Sequence, residues 1–174
     1  LPDREKPYTL LDIGCGVGDY YGYLLKNGFQ NIQYLGLDIL PEMVTAARQK
    51  YPQGSFQTAD FASRGWQSGA DFIVCSGALN MVFGDRLTHE NFIKQFVCKM
   101  YKKANLAAAF NLLSQKGQAE FVEDERFYYA DPLFWQDFCR KITPGTHLAE
   151  DYLTHDFTIF MAKPKTTEKI PETK

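Results

Sequence analysis

Apolar positions along this chain follow two rhythms, and their alternation predicts the architecture. Short runs at 8–13 (YTLLDI), 33–38 (QYLGLD) and 55–59 (SFQTA) have strand length, and 71–76 (DFIVCS) is a continuous apolar run, as in a strand covered on both faces. The run 105–113 (NLAAAFNLL) could be helix or strand on composition; its shortness and its place after a long helix favour a strand. Between these runs the spacing turns helical. Residues 19–26 form a helix stopped by Asn27-Gly28, a pair suited to a left-handed cap. Pro41 opens the next, with Met43, Val44, Ala46 and Ala47 on its apolar face and Arg48 and Lys50 at its C-terminal end. Thr88 can cap a third, in which Phe92, Ile93, Phe96, Val97, Met100 and Tyr101 repeat as a stripe. Its lysines 99, 102 and 103 crowd the end where the helix dipole favours positive charge. Asp131-Pro132 opens a fourth, running to about Lys141 with Leu133, Phe134, Phe138 and Cys139 inward. After the Pro144-Gly145 turn, 147–153 and 157–162 are two strands joined so closely that they should pair antiparallel.

This order predicts a doubly wound α/β fold: a mostly parallel seven-stranded sheet with a C-terminal antiparallel hairpin strand and helices on both faces. In such sheets a ligand lies outside the carboxyl ends of the strands, near the point where strand order reverses. The loops after Ile13, Asp38, Ala59, Ser76 and Leu113 should therefore share one edge. One domain, 1–162, is expected, followed by a polar tail at 163–174. The sequence begins without methionine and only a short polar leader precedes the first strand, so either an upstream covering segment has been removed, or the stretch 115–130 serves as the lid, or the pocket is open.

Composition narrows the classes. The 174 residues are 45% hydrophobic, ample for a core, and the formal net charge of -2 gives no general footprint for nucleic acid or an anionic membrane. No apolar run approaches the length that spans a bilayer, and no charged leader precedes an apolar stretch, so a soluble, cytoplasmic protein is expected. The four cysteines (15, 75, 98 and 139) are widely spaced, with no C-x-x-C pair and no histidine at ligand spacing. They read as reduced thiols, with no metal site.

Chemistry concentrates at 9–20, TLLDIGCGVGDY, where Gly14, Gly16 and Gly18 let a backbone approach a ligand closely. A dinucleotide site requires G-x-G-x-x-G, but here the third glycine comes four positions after the first. Asp19 occupies the fifth position, where it would meet a pyrophosphate with the wrong charge. The alternative ligand is S-adenosylmethionine, which has no phosphate and carries a sulfonium and an amino-acid end. LLDIGCGVG resembles motif I of the class I S-adenosylmethionine-dependent methyltransferases, where an acid lies two residues before the first glycine, as Asp12 does. The resemblance implies that Asp12 binds the methionine amino group while the backbone from Gly14 through Cys15 and Gly16 to Gly18 accommodates methionine and ribose. It implies further that Asp38, about twenty residues on, accepts hydrogen bonds from the ribose hydroxyls. Asp60 and Phe61 would meet the adenine, with Ile39 and Leu40 walling its other face, and Ser76 would join the same site. S-adenosylhomocysteine would be the product. The order FNLLS, YADP, FC and HDFT resembles a group of small bacterial methyltransferases.

The acceptor side is less marked. The loop after the fourth strand reads SGALN, unlike the N/D-P-P-Y/F/W motif that holds planar nitrogens in many amino-group methyltransferases. Asn80, Asn111, Tyr128 and Tyr129 are candidate substrate contacts, although tyrosines so near a helix start can equally pack against it. The stretch 115–130, rich in acids and aromatics, could lid the site. His155, in the turn of the final hairpin, is the candidate general base, or else it pins that turn. The expected activity is methyl transfer to a small molecule. Alternatives are a non-catalytic nucleoside-binding module that needs a partner, an aminopropyltransferase, or an enzyme with RNA or protein acceptors.

Overall fold

The computed structural model describes residues 6–64, 66–116 and 126–164. The leader through residue 5, the middle of the expected lid (117–125) and the tail from 165 onward lie outside them. Strands β1 (Tyr8–Ile13), β2 (Ile32–Asp38), β3 (Ser55–Thr58), β4 (Ala70–Cys75) and β5 (Ala104–Ser114) alternate with helices α1 (Asp19–Lys26), α2 (Pro41–Lys50) and α3 (Arg86–Lys103). A two-residue β6 (Tyr129–Ala130), α4 (Pro132–Arg140), β7 (Thr146–Ala149) and β8 (Asp156–Ala162) complete the chain.

The sheet runs β3-β2-β1-β4-β5-β8-β7, and β6 adds a short parallel pairing to β5. β1 through β5 pair in parallel, whereas β8 is antiparallel to both β5 and β7. β7 therefore runs parallel to β5, and the β7–β8 turn reaches the carboxyl edge, as the hairpin reading anticipated. Strand order reverses between β1 and β4, which fixes the crevice where loops diverge.

Alternation along the strands divides the core. Leu11, Ile13, Leu37, Ile73, Phe110 and Ile159 face α3 and α4, packing with Ile93, Val97, Met100, Trp135 and Cys139. Leu10, Tyr34 and Phe56 face the other way, against Leu24, Val44 and Ala47 of α1 and α2. By register, Val74, Ala109 and Phe160 lie on this second face beyond α1, and Phe160 is 45% exposed there.

Three expectations are corrected. α3 begins at Asp85, not Thr88: the Asp85 carboxylate accepts the Thr88 N–H at 2.7 Å, so Thr88 sits in the first turn. β7 stops at Ala149 rather than running to residue 153, because it pairs only with β8 and Thr158 is the last partner on that side. β6, too short to carry a hydrophobic pattern, was not anticipated. In α4, Leu133 and Phe134 point outward (56% and 41% exposed), while Trp135 takes the inward position. The cysteines are unpaired, as expected. Among the described residues no helix is long and apolar enough to cross a membrane.

Trp135 is fully buried against Phe110, Tyr128, Phe134 and Phe138. Trp135→Ala should destabilise the fold by about 3–5 kcal/mol, read from denaturant melts. Trp135→Phe should recover more than half of that loss.

Candidate active site

Backbone hydrogen bonding builds the site first. β1 ends beside β2, and the N–H groups of Gly14 and Cys15 both donate to the Leu37 carbonyl, at 2.8 and 2.9 Å. The Gly18 N–H closes the turn onto the Cys15 carbonyl at 2.9 Å, and α1 starts there. Gly14, Gly16 and Gly18 all have positive φ (71°, 53° and 82°), a region that other residues rarely enter. At Gly14 a Cβ would also collide with that of Ala78 in the loop after β4. The turn thus needs glycine for conformation and for close approach.

Two carboxylates sit beneath and beside this turn. Asp12 is 2% exposed and accepts the Tyr34 hydroxyl at 2.6 Å. Burial pushes its pKa up to about 6, the Tyr34 hydrogen bond pulls it back, and the neighbouring Asp38 charge raises it further. The Tyr34 hydroxyl is in turn driven well above the phenol range, first by burial and then by Asp12, so it stays a donor. Asp38, at the end of β2, accepts the Gly16 N–H at 2.9 Å and the Leu40 N–H at 3.0 Å. It therefore couples the glycine turn to the loop after β2.

A cavity of about 550 Å³ opens over these groups, within the range of small-molecule sites. Gly14, Gly16, Asp38, Ile39, Asp60, Phe61 and Ser76 all line it, as the motif reading brought them together. Asp60 caps its own loop by accepting the Ala62 N–H at 2.8 Å. Phe61 is 1% exposed, and Lys99 donates to its carbonyl at 2.5 Å with the ammonium 5.0 Å from its ring. Asp12, Cys15 and Gly18 do not line the cavity; they lie beneath or behind it, Cys15 with its thiol pushed up to about 12 chiefly by burial. The cavity also extends along Met81, Phe83, His89 and Phe92, which the sequence reading did not place in a site. His89, 1% exposed, donates from Nε2 to the Leu79 carbonyl at 3.0 Å, so it serves the packing that its expected structural role required.

A second cavity, of about 370 Å³, adjoins the first, and Ser76 lines both. Its walls are Tyr20, Val74, Ala109, Asn111, Tyr152, Asp156, Thr158 and Phe160. Of the expected acceptor contacts only Asn111 lies here, its Oδ1 accepting the Gly77 N–H at 2.7 Å. The others sit elsewhere. Asn80 is buried and accepts the Leu113 N–H at 3.1 Å. Tyr128 is 2% exposed, hydrogen-bonded to Glu90 and Trp135, and belongs to the core. Tyr129 pairs in β6 and its carbonyl accepts from Arg86. His155 lines neither cavity; its carbonyl accepts the Ser114 N–H at 2.9 Å and ties the hairpin turn to β5. Its neighbour Asp156 faces the cavity instead. β8 begins at Asp156, which with Thr158 and Phe160 faces the cavity, and the turn by itself does not specify that register.

Asp12 is buried without a cation among the described residues, next to Asp38. The pocket above them therefore favours a ligand with positive charge and disfavours a pyrophosphate, which fits the sulfonium and ammonium of S-adenosylmethionine.

Comparison with known proteins agrees with this geometry. Residues 10–98 match the family described as "Methyltransferase domain". The protein named "Putative methyltransferase Rv1506c" from Mycobacterium tuberculosis is 31% identical over 165 residues, covering 94% of this chain and 98% of that one. The trans-aconitate 2-methyltransferase of Methylobacterium radiotolerans is 32% identical over 75 residues, only 43% of this chain and 28% of its own. Among solved structures, magnesium protoporphyrin IX methyltransferase from Synechocystis PCC 6803 with bound S-adenosylhomocysteine superposes with a TM-score of 0.67 at 17% identity, over 91% of this chain and 74% of that one. A family match across just over half the sequence and a relative aligned along nearly its whole length leave one assignment: the chain belongs to the methyltransferase-domain family and is an S-adenosylmethionine-dependent class I methyltransferase.

Proposed function

We propose that this enzyme methylates a small molecule, with the first cavity holding the nucleoside and methionine and the second receiving the acceptor. The single observation that carries this reading is the compact second cavity joined to the first at Ser76. Bound S-adenosylmethionine supplies an electrophilic methyl on a sulfonium sulfur. The chain's part is to bind, orient and exclude water. Asp12, beneath the turn, pairs with the methionine ammonium directly or through a water, and the turn from Gly14 through Cys15 and Gly16 to Gly18 gives it backbone room. Asp38 keeps a lone pair for the ribose hydroxyls beyond its two backbone bonds. Asp60 and Phe61 hold the adenine edge while Ile39 covers one face. Ser76 stands where nucleoside and acceptor meet.

A tricarboxylate acceptor like that named for the trans-aconitate relatives finds no support here. The match to them covers only 43% of this chain, and no lysine or arginine lines either cavity among the described residues.

The reading is tested by incubating the enzyme with methyl-labelled S-adenosylmethionine and a bacterial extract split by size. Label should enter a small-molecule product distinct from S-adenosylmethionine that the extract alone does not form; label transferred only to protein or RNA would overturn the small-molecule acceptor.

Asp12 gives a pH prediction. Its carboxyl holds a proton more tightly in the native state (about 6) than in the unfolded chain (3.8), so ionising it costs stability as pH rises between those values, on the order of 3 kcal/mol in total. An ammonium needs the ionised form. Affinity for S-adenosylhomocysteine should accordingly hold above pH 6 and fall up to tenfold per unit below it. At pH 5.5 the calorimetric heat should depend on the buffer, because binding expels the Asp12 proton; at pH 7 it should not. Asp12→Asn should remove the dependence.

Asp38→Ala should weaken adenosine binding by about 1–3 kcal/mol in calorimetric titration. Adenosine has no amino-acid end, so this effect is separate from that of Asp12, and unchanged affinity would discredit the ribose contact.

A further inference from the structure

The second cavity has a polar arc on an apolar floor. Val74, Ala109 and Phe160 form the floor by register, on the face of the sheet beyond α1. Asn111, Asp156, Thr158 and Tyr152 form the arc. Asn111 is held at one end by the Gly77 N–H, so its amide is fixed with Nδ2 toward Asp156, and it donates to Oδ2 at 2.8 Å. The Tyr152 hydroxyl and Thr158 Oγ1 satisfy each other at 2.7 Å. One atom is left over. Asp156 Oδ1 is shielded from water and has no hydrogen-bond partner among the described residues. A shielded carboxylate oxygen without a donor costs free energy, and such atoms in native proteins call for a missing donor. Asp156 lines the cavity, so a donor entering there meets this carboxylate while Oδ2 stays with Asn111.

We propose that Asp156 accepts the proton of the methyl acceptor, which makes the acceptor a compact, largely apolar molecule carrying a hydroxyl or an amine and excludes a carboxylate at that position. The proposal rests on the methyltransferase reading above. As the acceptor oxygen or nitrogen forms its bond to the methyl carbon, its bond to hydrogen breaks toward Asp156, which becomes the carboxylic acid. The carbon–sulfur pair stays with sulfur, leaving a neutral thioether, and Asp156 later gives the proton to water. Asn111 is the positioning residue, since it fixes one carboxylate oxygen and leaves the other for the acceptor. Burial raises the proton affinity of Asp156, and the Asn111 hydrogen bond, the Phe157 N–H and the nearby His155 charge only partly oppose this, as suits a base that must take a proton. An anionic acceptor would meet a like charge, with no lysine or arginine among the described residues of the cavity to offset it.

The test uses the protein saturated with S-adenosylhomocysteine, with 4-ethylphenol, tyramine, 4-ethylanisole and 4-ethylbenzoate as probes. Binding is followed by calorimetry and by the side-chain amide resonances of Asn111. The phenol and the amine should bind at least tenfold more tightly than the anisole and shift the Asn111 signals, and the benzoate should not bind. Asp156→Asn should erase the preference for donors over the anisole while keeping S-adenosylhomocysteine affinity within twofold. Equal binding of all four probes, or a donor preference that survives Asp156→Asn, would overturn the proposal alone. Failure of the wild-type chain to bind S-adenosylhomocysteine would overturn the methyltransferase reading, and this proposal with it.

Discussion

The Leu37 carbonyl accepts two N–H groups from the turn after β1, and the rest of the site depends on that bifurcated bond. It locks the glycine loop to the end of β2, which brings the buried Asp12 and the strand-end Asp38 to one edge. Asp38 then donates nothing and accepts twice, from Gly16 and Leu40, so the same carboxylate that faces the cavity also fastens its two walls. A scaffold built in this way holds its ligand-facing groups with backbone hydrogen bonds rather than with mobile side chains, which is how a site is kept in register without cost at the moment of binding.

Charge gives the two cavities a common character. Beneath the first lie two carboxylates, one of them forced by burial to hold its proton up to about 6. At the rim of the second lies Asp156, also pushed upward by burial. The enzyme as a whole carries a formal charge of only -2, so this negative lining is a local arrangement and not a reflection of composition. On the side of the first cavity it suits a sulfonium ligand.

The two faces of the sheet divide the labour. α3 and α4 bury a core in which Trp135, Phe110, Ile93 and Met100 have essentially no exposure, and α1 and α2 cover β1 to β3 on the opposite face. Beyond α1 that opposite face carries Val74, Ala109 and Phe160, and there the second cavity forms. The first cavity, by contrast, is lined from the α3 layer by Ile13, Leu37, Phe61 and Phe96, so the two cavities draw on opposite faces of the sheet.

By itself the sequence determined the layered fold and most of the lining of the first cavity. Strand-length apolar runs, the G-x-G-x-G turn and acids placed two residues before it and at the end of the second strand are local signals. They bring Gly14, Gly16, Asp38, Asp60, Phe61 and Ser76 to one cavity whatever the details of packing. Tertiary structure alone decided the lining of the second cavity, because there the deciding quantity is register. A shift of one residue in β8 exchanges His155 for Asp156 at the cavity, and the burial of Tyr128 depends on Trp135 reaching it from α4. No local pattern encodes such pairings; they follow from which strand lies beside which, and that is settled only when the whole sheet has closed around its core.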